Sequence, residues 1–196
     1  MRQKGKIRMY LTFESKKILV HAYVTCRLDN CNSLLLGSPK YMIQKLQLVQ
    51  NCTARLVAGQ PRAAHIRPVL KELHWLPMEQ RITFKVLLLT FKALNNLAPP
   101  YLSQLIVPYN PTRNLRSAGK HWSVEVPNVR LKSYGSRAFS VPAPKHWNEI
   151  PLDIKLSRSV DVFKSRLKTY LFRLAFNWLF VLLLLLVRYL LDCKAI

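Results

Sequence analysis

The sequence predicts a mainly α-helical body with a small irregular β/loop segment and a hydrophobic C-terminal helix. Three observations carry this. Apolar residues recur at three- and four-residue spacing over long stretches bounded by proline, glycine and asparagine. Strand-like alternation is confined to one short stretch near Trp122. The end of the chain holds an apolar run, LAFNWLFVLLLLLV, over 174–187. With 50% hydrophobic residues, the chain can bury a core, which excludes wholesale disorder.

The elements follow in order. Residues 1–15 form a basic N-terminal segment without a clear period. A helical region covers 16–108. It opens with Lys16–Leu28, apolar enough for a short buried helix, and Asn30-Cys31-Asn32-Ser33 reads as a turn. The best-signalled helix starts at Ser38, a capping residue, with Pro39 at the first helical position. Its expected buried stripe is Met42 or Ile43, Leu46, Val49, Cys52 or Thr53, and Leu56, with Lys40, Lys45, Gln47, Asn51 and Arg55 facing away. Gly59 and Pro61 end it. A short helix after Pro68 carries Val69, Leu70 and Leu73. Pro77 opens the most apolar helix, about 78–95, which should be central to the core. Asn95-Asn96 and Pro99-Pro100 stop it.

Residues 109–157 form a Pro-rich loop and short-strand region. Trp122, Val124 and Val126 alternate with Ser123 and Glu125, as in a half-buried strand, and Val129 with Leu131 extends a second one. Pro142, Pro144 and Pro151 leave room for one helical turn around Trp147. A basic amphipathic helix over 158–173 buries Phe163, Leu167, Tyr170 or Leu171, and Leu174. Residues 174–191 form the hydrophobic tail.

Charge sets the function class. The chain carries 31 Lys and Arg against 9 Asp and Glu, a net charge of +22. So large an excess calls for a polyanionic partner. The carboxylates are Glu14, Asp29, Glu72, Glu79, Glu125, Glu149, Asp153, Asp161 and Asp192, and no two are adjacent. That excludes a polymerase-like pair of metal-binding aspartates, and Pro151 separates the nearest pair, Glu149 and Asp153. Cys26, Cys31, Cys52 and Cys193 contain no C-x-x-C pair, and His21, Cys26 and Cys31 stand five apart, which scatters them around a helix. Buried structural thiols are expected, without a metal or other cofactor. The basic N-terminus is not followed by a secretory signal pattern.

Five runs then stand in register: HAYVTCRLDNCNSLLLGSP (21–39), IQKLQLVQNCTARLV (43–57), HIRPVLKELHWLPMEQRITFKVLLLTFKALNNLAPPYL (65–102), RLKSYGSRAFSVPAPKHWNEIP (130–151) and FKSRLKTYLF (163–172). The order of ARLV, HWLP, FKAL and APPYL resembles the C-terminal part of the reverse transcriptase of LINE-type (non-LTR) retrotransposons, from Lys16 to near Leu174. The resemblance implies a helical, thumb-like body that lies downstream of the polymerase palm in the parent protein. The palm's metal-binding aspartates and the endonuclease have no counterpart here, so no enzymatic activity and no small-molecule substrate are expected. Departures from the family pattern stand at Asn30, Ser136 and Glu149-Ile150.

The resemblance also implies grip on an RNA or DNA backbone without base reading. The residues for it are Arg113, Arg116, Arg130, Lys132, Arg137, Lys164, Arg166 and Lys168. Trp122, Tyr134 and Trp147 are candidates for stacking on bases, with burial in the core as the alternative. Residues 174–191 are the place where a membrane would enter: Arg188 can snorkel and Tyr189 to Leu191 lengthen the run, giving a tail-anchored chain with its basic body in the cytosol. A third reading is a decayed transposon copy without a selected function. Nucleus or cytoplasm follows from the first reading, and a membrane from the second.

Overall fold

Proline, glycine and asparagine set the helix limits. The computed structural model, which describes residues 10–110, 122–131 and 135–177, puts those limits close to the expected positions. Helix α1 (Phe13–Val20) starts at Thr12, whose Oγ1 accepts from the Ser15 N–H at 3.2 Å. A π-helical segment (His21–Thr25) and α2 (Cys26–Asp29) continue it. Cys31 is left-handed and leads into a 3-10 turn, Asn32–Leu35. Then come α3 (Lys40–Ala58), α4 (Ile66–Glu72), α5 (Met78–Leu94) and α6 (Pro100–Ser103). A 3-10 turn (Gly135–Arg137) precedes α7 (Pro142–Glu149), α8 (Leu152–Lys155) and α9 (Val160–Phe176). The protein is mainly helical.

Three helices end by one device. At the ends of α3, α4 and α5 the residues Gly59, His74 and Asn96 take positive φ, at 73°, 55° and 56°. The next N–H reaches back five residues in each case: Gln60 to the Arg55 carbonyl at 3.0 Å, Trp75 to Leu70 at 2.9 Å, and Leu97 to Lys92 at 2.8 Å. This closure satisfies carbonyls that would otherwise have no partner. Glycine and asparagine announce it. The HWLP motif hides it, because this closure is usually made by glycine or asparagine.

The described chain forms two compact units. The first comprises 10–30, 40–81 and 169–177. Its core is Val20, Ala54, Val57, Val69, Leu70 and Leu73, with Trp75 and Phe176 packed against it. Arg81 grips Asp29 with a two-pronged hydrogen bond, its Nε lying 2.9 Å from Oδ1. Arg67 donates to the Ala175 carbonyl at 2.7 Å, placing a cation where the carbonyls of α9 end.

Three expectations fail in this unit, one of them in part. The helix over 13–29 forms, but it is mostly exposed, with Val20 and Thr25 buried. The α3 stripe holds in part: Thr53 is buried, and Ile43, Leu46 and Leu56 are half-buried, but Val49 is exposed and Gln50, Ala54 and Val57 complete the buried face. Backbone hydrogen bonding decides the rotation of that helix. Gln50 Nε2 donates to the Leu76 carbonyl at 2.8 Å, and Gln47 Oε1 accepts from the Met78 N–H at 2.8 Å. Gln47 Nε2 in turn donates to Gln50 Oε1 and Asn51 Oδ1, at 3.0 and 2.7 Å. The glutamines turn inward because the loop entering α5 presents polar groups that must be satisfied. The expected burial of cysteine fails as well: Cys26, Cys31 and Cys52 are exposed and form no disulfide.

The second unit comprises 31–39, 82–110, 122–131 and 135–168. An aromatic cluster stands in its core: Phe91 and Phe163 stack at 4.2 Å between centroids, and Trp147 lies 6.0 Å from Phe163. Ile82, Val86, Leu87, Ile154 and Leu167 are buried with them. Helix α7 runs two turns rather than one, because Pro142 and Pro144 sit in its first turn, where a missing N–H breaks no helical bond. The expected strands reduce, among the described residues, to one antiparallel bridge between Pro108 and Val124. Of the alternating residues only Val124 is buried, while Trp122 and Val126 are exposed. Among the described residues no helix is long and apolar enough to cross a membrane. The expected span over 174–191 lies, beyond Asn177, outside the described residues.

Candidate nucleic-acid interface

The basic stretch of α9 follows from how the helix buries its apolar stripe. Phe163 and Leu167 are fully covered, so the cations between them must emerge on the flanks. At about 100° per residue, Lys164 and Lys168 stand about 40° apart on one flank, whereas Arg166 leaves from the other. The structure therefore brings together Lys164 and Lys168 and separates Arg166 from them.

Each of the three has its own surroundings. Lys164 Nζ lies 3.0 Å from Asp161 Oδ1, an exposed pair one turn apart. That carboxylate sits on the cationic flank and offsets part of its field. Arg166 donates to the Asp153 carbonyl of α8 at 2.7 Å, and so ties two helices together. Lys168 is exposed. Each cation can still approach a phosphate, Arg166 with its remaining donors.

Arg130 and Arg137 are exposed as well. Arg137 has a positioned stem: a Cβ built on Gly37 would stand 3.1 Å from its Cγ, and Gly37 itself has φ of +75°. Arg137 thus stands against the turn ahead of α3. Arg113, Arg116 and Lys132, with Tyr134, lie outside the described residues.

The aromatic candidates divide. Trp147 is 1% exposed and belongs to the core, so it cannot stack on a base. Its Nε1 donates to the Trp122 carbonyl at 2.9 Å, and Lys155 Nζ stands 6.0 Å from its ring centroid. Trp122 is half exposed, as a stacking residue must be.

Sequence reasoning missed Asn148. Its side chain brackets one residue: Oδ1 accepts from the Val124 N–H and Nδ2 donates to the Val124 carbonyl, both at 2.9 Å. Together Trp147 and Asn148 clamp 122–124 while the bridge holds Val124 to Pro108 from the other side. Asn148 itself is exposed, and no local pattern signalled it, because the buried backbone it serves lies 24 residues earlier in the chain.

Metal chemistry finds no scaffold in what is described: among the described residues no group of three or more His, Cys, Asp or Glu is placed to hold an ion. Comparison of the chain with models of protein families, with curated proteins and with solved structures gives no match.

Proposed function

We propose that this chain is a non-catalytic remnant of a LINE-type reverse transcriptase, and that it binds RNA and DNA through the phosphate backbone without reading sequence. The net charge of +22 carries this reading. It is supported by exposed cations in both units, among them Lys17, Lys40 and Lys71 in the first and Arg130, Arg137 and Lys168 in the second. The motifs behind the resemblance also support it, since they occupy joints of the fold. Ala54 and Val57 of ARLV lie in a core, HWLP closes α4 and opens α5, and Trp147-Asn148 forms the clamp. Such motifs describe a scaffold that presents charge, and none of them supplies a nucleophile, a base or an ion.

The test is a salt titration of the full chain against single-stranded and duplex oligonucleotides of several sequences. Affinity should be nearly independent of sequence and fall steeply between low and physiological salt. Nucleotide incorporation on a primed RNA template with magnesium or manganese should stay at the no-protein blank. Absence of binding at low salt, or incorporation by a preparation free of other polymerases, would overturn the reading.

A further inference from the structure

The helix over 13–29 carries its apolar stripe on the outside. Ile18, Leu19, Ala22, Tyr23 and Cys26 recur at three- and four-residue spacing and all are exposed, Ile18 by 66% and Tyr23 by 62%. The helix meets its own unit through Val20, Val24 and Thr25 instead. Helix α3, in contact with it, repeats the pattern: with Gln47 and Gln50 turned inward, Tyr41, Met42, Leu48 and Val49 face solvent. A soluble helix ordinarily buries such a stripe.

Cations accompany the apolar residues. Lys17, Arg27, Lys40 and Lys45 are exposed, and Lys45 Nζ stands 5.8 Å from the centre of the Tyr41 ring. Of the two carboxylates on the first helix, Asp29 is held by Arg81, which leaves Glu14.

The chemistry of this face selects its occupant. A nucleic-acid backbone would engage the cations but leave Ile18, Leu19 and Leu48 in water. A second copy would set one chain of charge +22 against another. An anionic bilayer surface takes both components: apolar side chains enter the boundary between headgroups and acyl chains, tyrosines sit at that depth, and cations meet lipid phosphates. We propose that the outer face of the helix over 13–29, with α3 beside it, docks on an anionic lipid surface, lying in the interface without spanning it. This surface is independent of the hydrophobic stretch 174–191.

The full chain is sedimented with vesicles of phosphatidylcholine and with vesicles of phosphatidylcholine and phosphatidylserine in equal parts. It should bind the mixed vesicles well and the neutral ones poorly. Ile18→Gln with Tyr23→Gln keeps every charge and alters two exposed positions. It should weaken partition onto the mixed vesicles by about tenfold, with melting temperature and RNA affinity unchanged. Ile18→Leu with Tyr23→Phe should bind as the natural chain does. The proposal is overturned if the Gln pair binds like the natural chain, since the C-terminal stretch or bulk charge would then suffice. Equal binding to neutral vesicles overturns it, as does no binding to either kind. A parallel loss of RNA affinity would assign the face to nucleic acid, and loss in the conservative pair would show disruption of the helix itself.

Discussion

Replacing Gln50 by leucine separates pattern from structure. On pattern alone, a polar residue facing a core is a weak point, and leucine should strengthen it. Gln50 is 2% exposed, and its Nε2 holds the Leu76 carbonyl at 2.8 Å. Leucine adds apolar contact worth about 1 kcal/mol over the methylenes of glutamine. It also strands the Leu76 carbonyl, at a cost of about 1–3 kcal/mol, and takes one acceptor from Gln47. The net expectation is a loss of about 1–2 kcal/mol. Gln50→Ala, which forfeits the packing too, should lose about 2–4 kcal/mol. Urea unfolding followed by circular dichroism measures both. Amide exchange at Met78 gives a local readout, because its N–H is held by Gln47 Oε1, and Gln47 is steadied by Gln50. Exchange there should speed up in either variant. A leucine variant as stable as the natural chain, with Met78 exchange unmoved, would refute the account of the inward glutamines.

Three further outcomes follow from the same geometry. Asn148→Ala removes both bonds to Val124 and should cost about 2–3 kcal/mol in urea, with faster amide exchange at Val124 as the local sign. His74→Gly and His74→Ala both lose the ring stacked 5.6 Å from Phe172, yet only glycine relieves the left-handed backbone, so glycine should be the more stable by about 1 kcal/mol in thermal unfolding. Lys168→Gln and Arg166→Gln should each reduce the slope of log affinity against log salt by about 1, while Arg166→Gln alone also lowers stability, by about 1 kcal/mol, through its lost bond to Asp153.

The candidate interface was partly legible in advance. Lys164, Arg166 and Lys168 were visible as a basic run on a helix, and α9 does bury Phe163, Leu167 and Leu171. That Arg166 leaves from the opposite flank follows from helical periodicity once the buried stripe is placed. Trp147 was a candidate for a base stack, with the core as the alternative that aromatic burial favours. Its burial depended on Phe91 and Phe163, which are distant in sequence and invisible to any local pattern.

Alone, the sequence determined the limits of the helices that proline, glycine or asparagine bound. Pro77 before α5, Gly59 after α3 and Asn96 after α5 act through φ restriction and missing donors, which are properties of single residues and their neighbours. Composition likewise determined the net charge, and residue order the lack of adjacent carboxylates. Tertiary structure decided which face of the helix over 13–29 and of α3 is buried. In α3 Thr53 and Leu56 of the expected stripe turn inward, but Val49 gave way to Gln47 and Gln50, because the Leu76 carbonyl and the Met78 N–H needed partners. It also decided that Val124 would be held by an asparagine side chain and not by a sheet. Hydrophobic periodicity ranks faces by transfer from water, but an unsatisfied backbone group costs as much as a buried side chain gains, and only the folded chain shows where those groups lie.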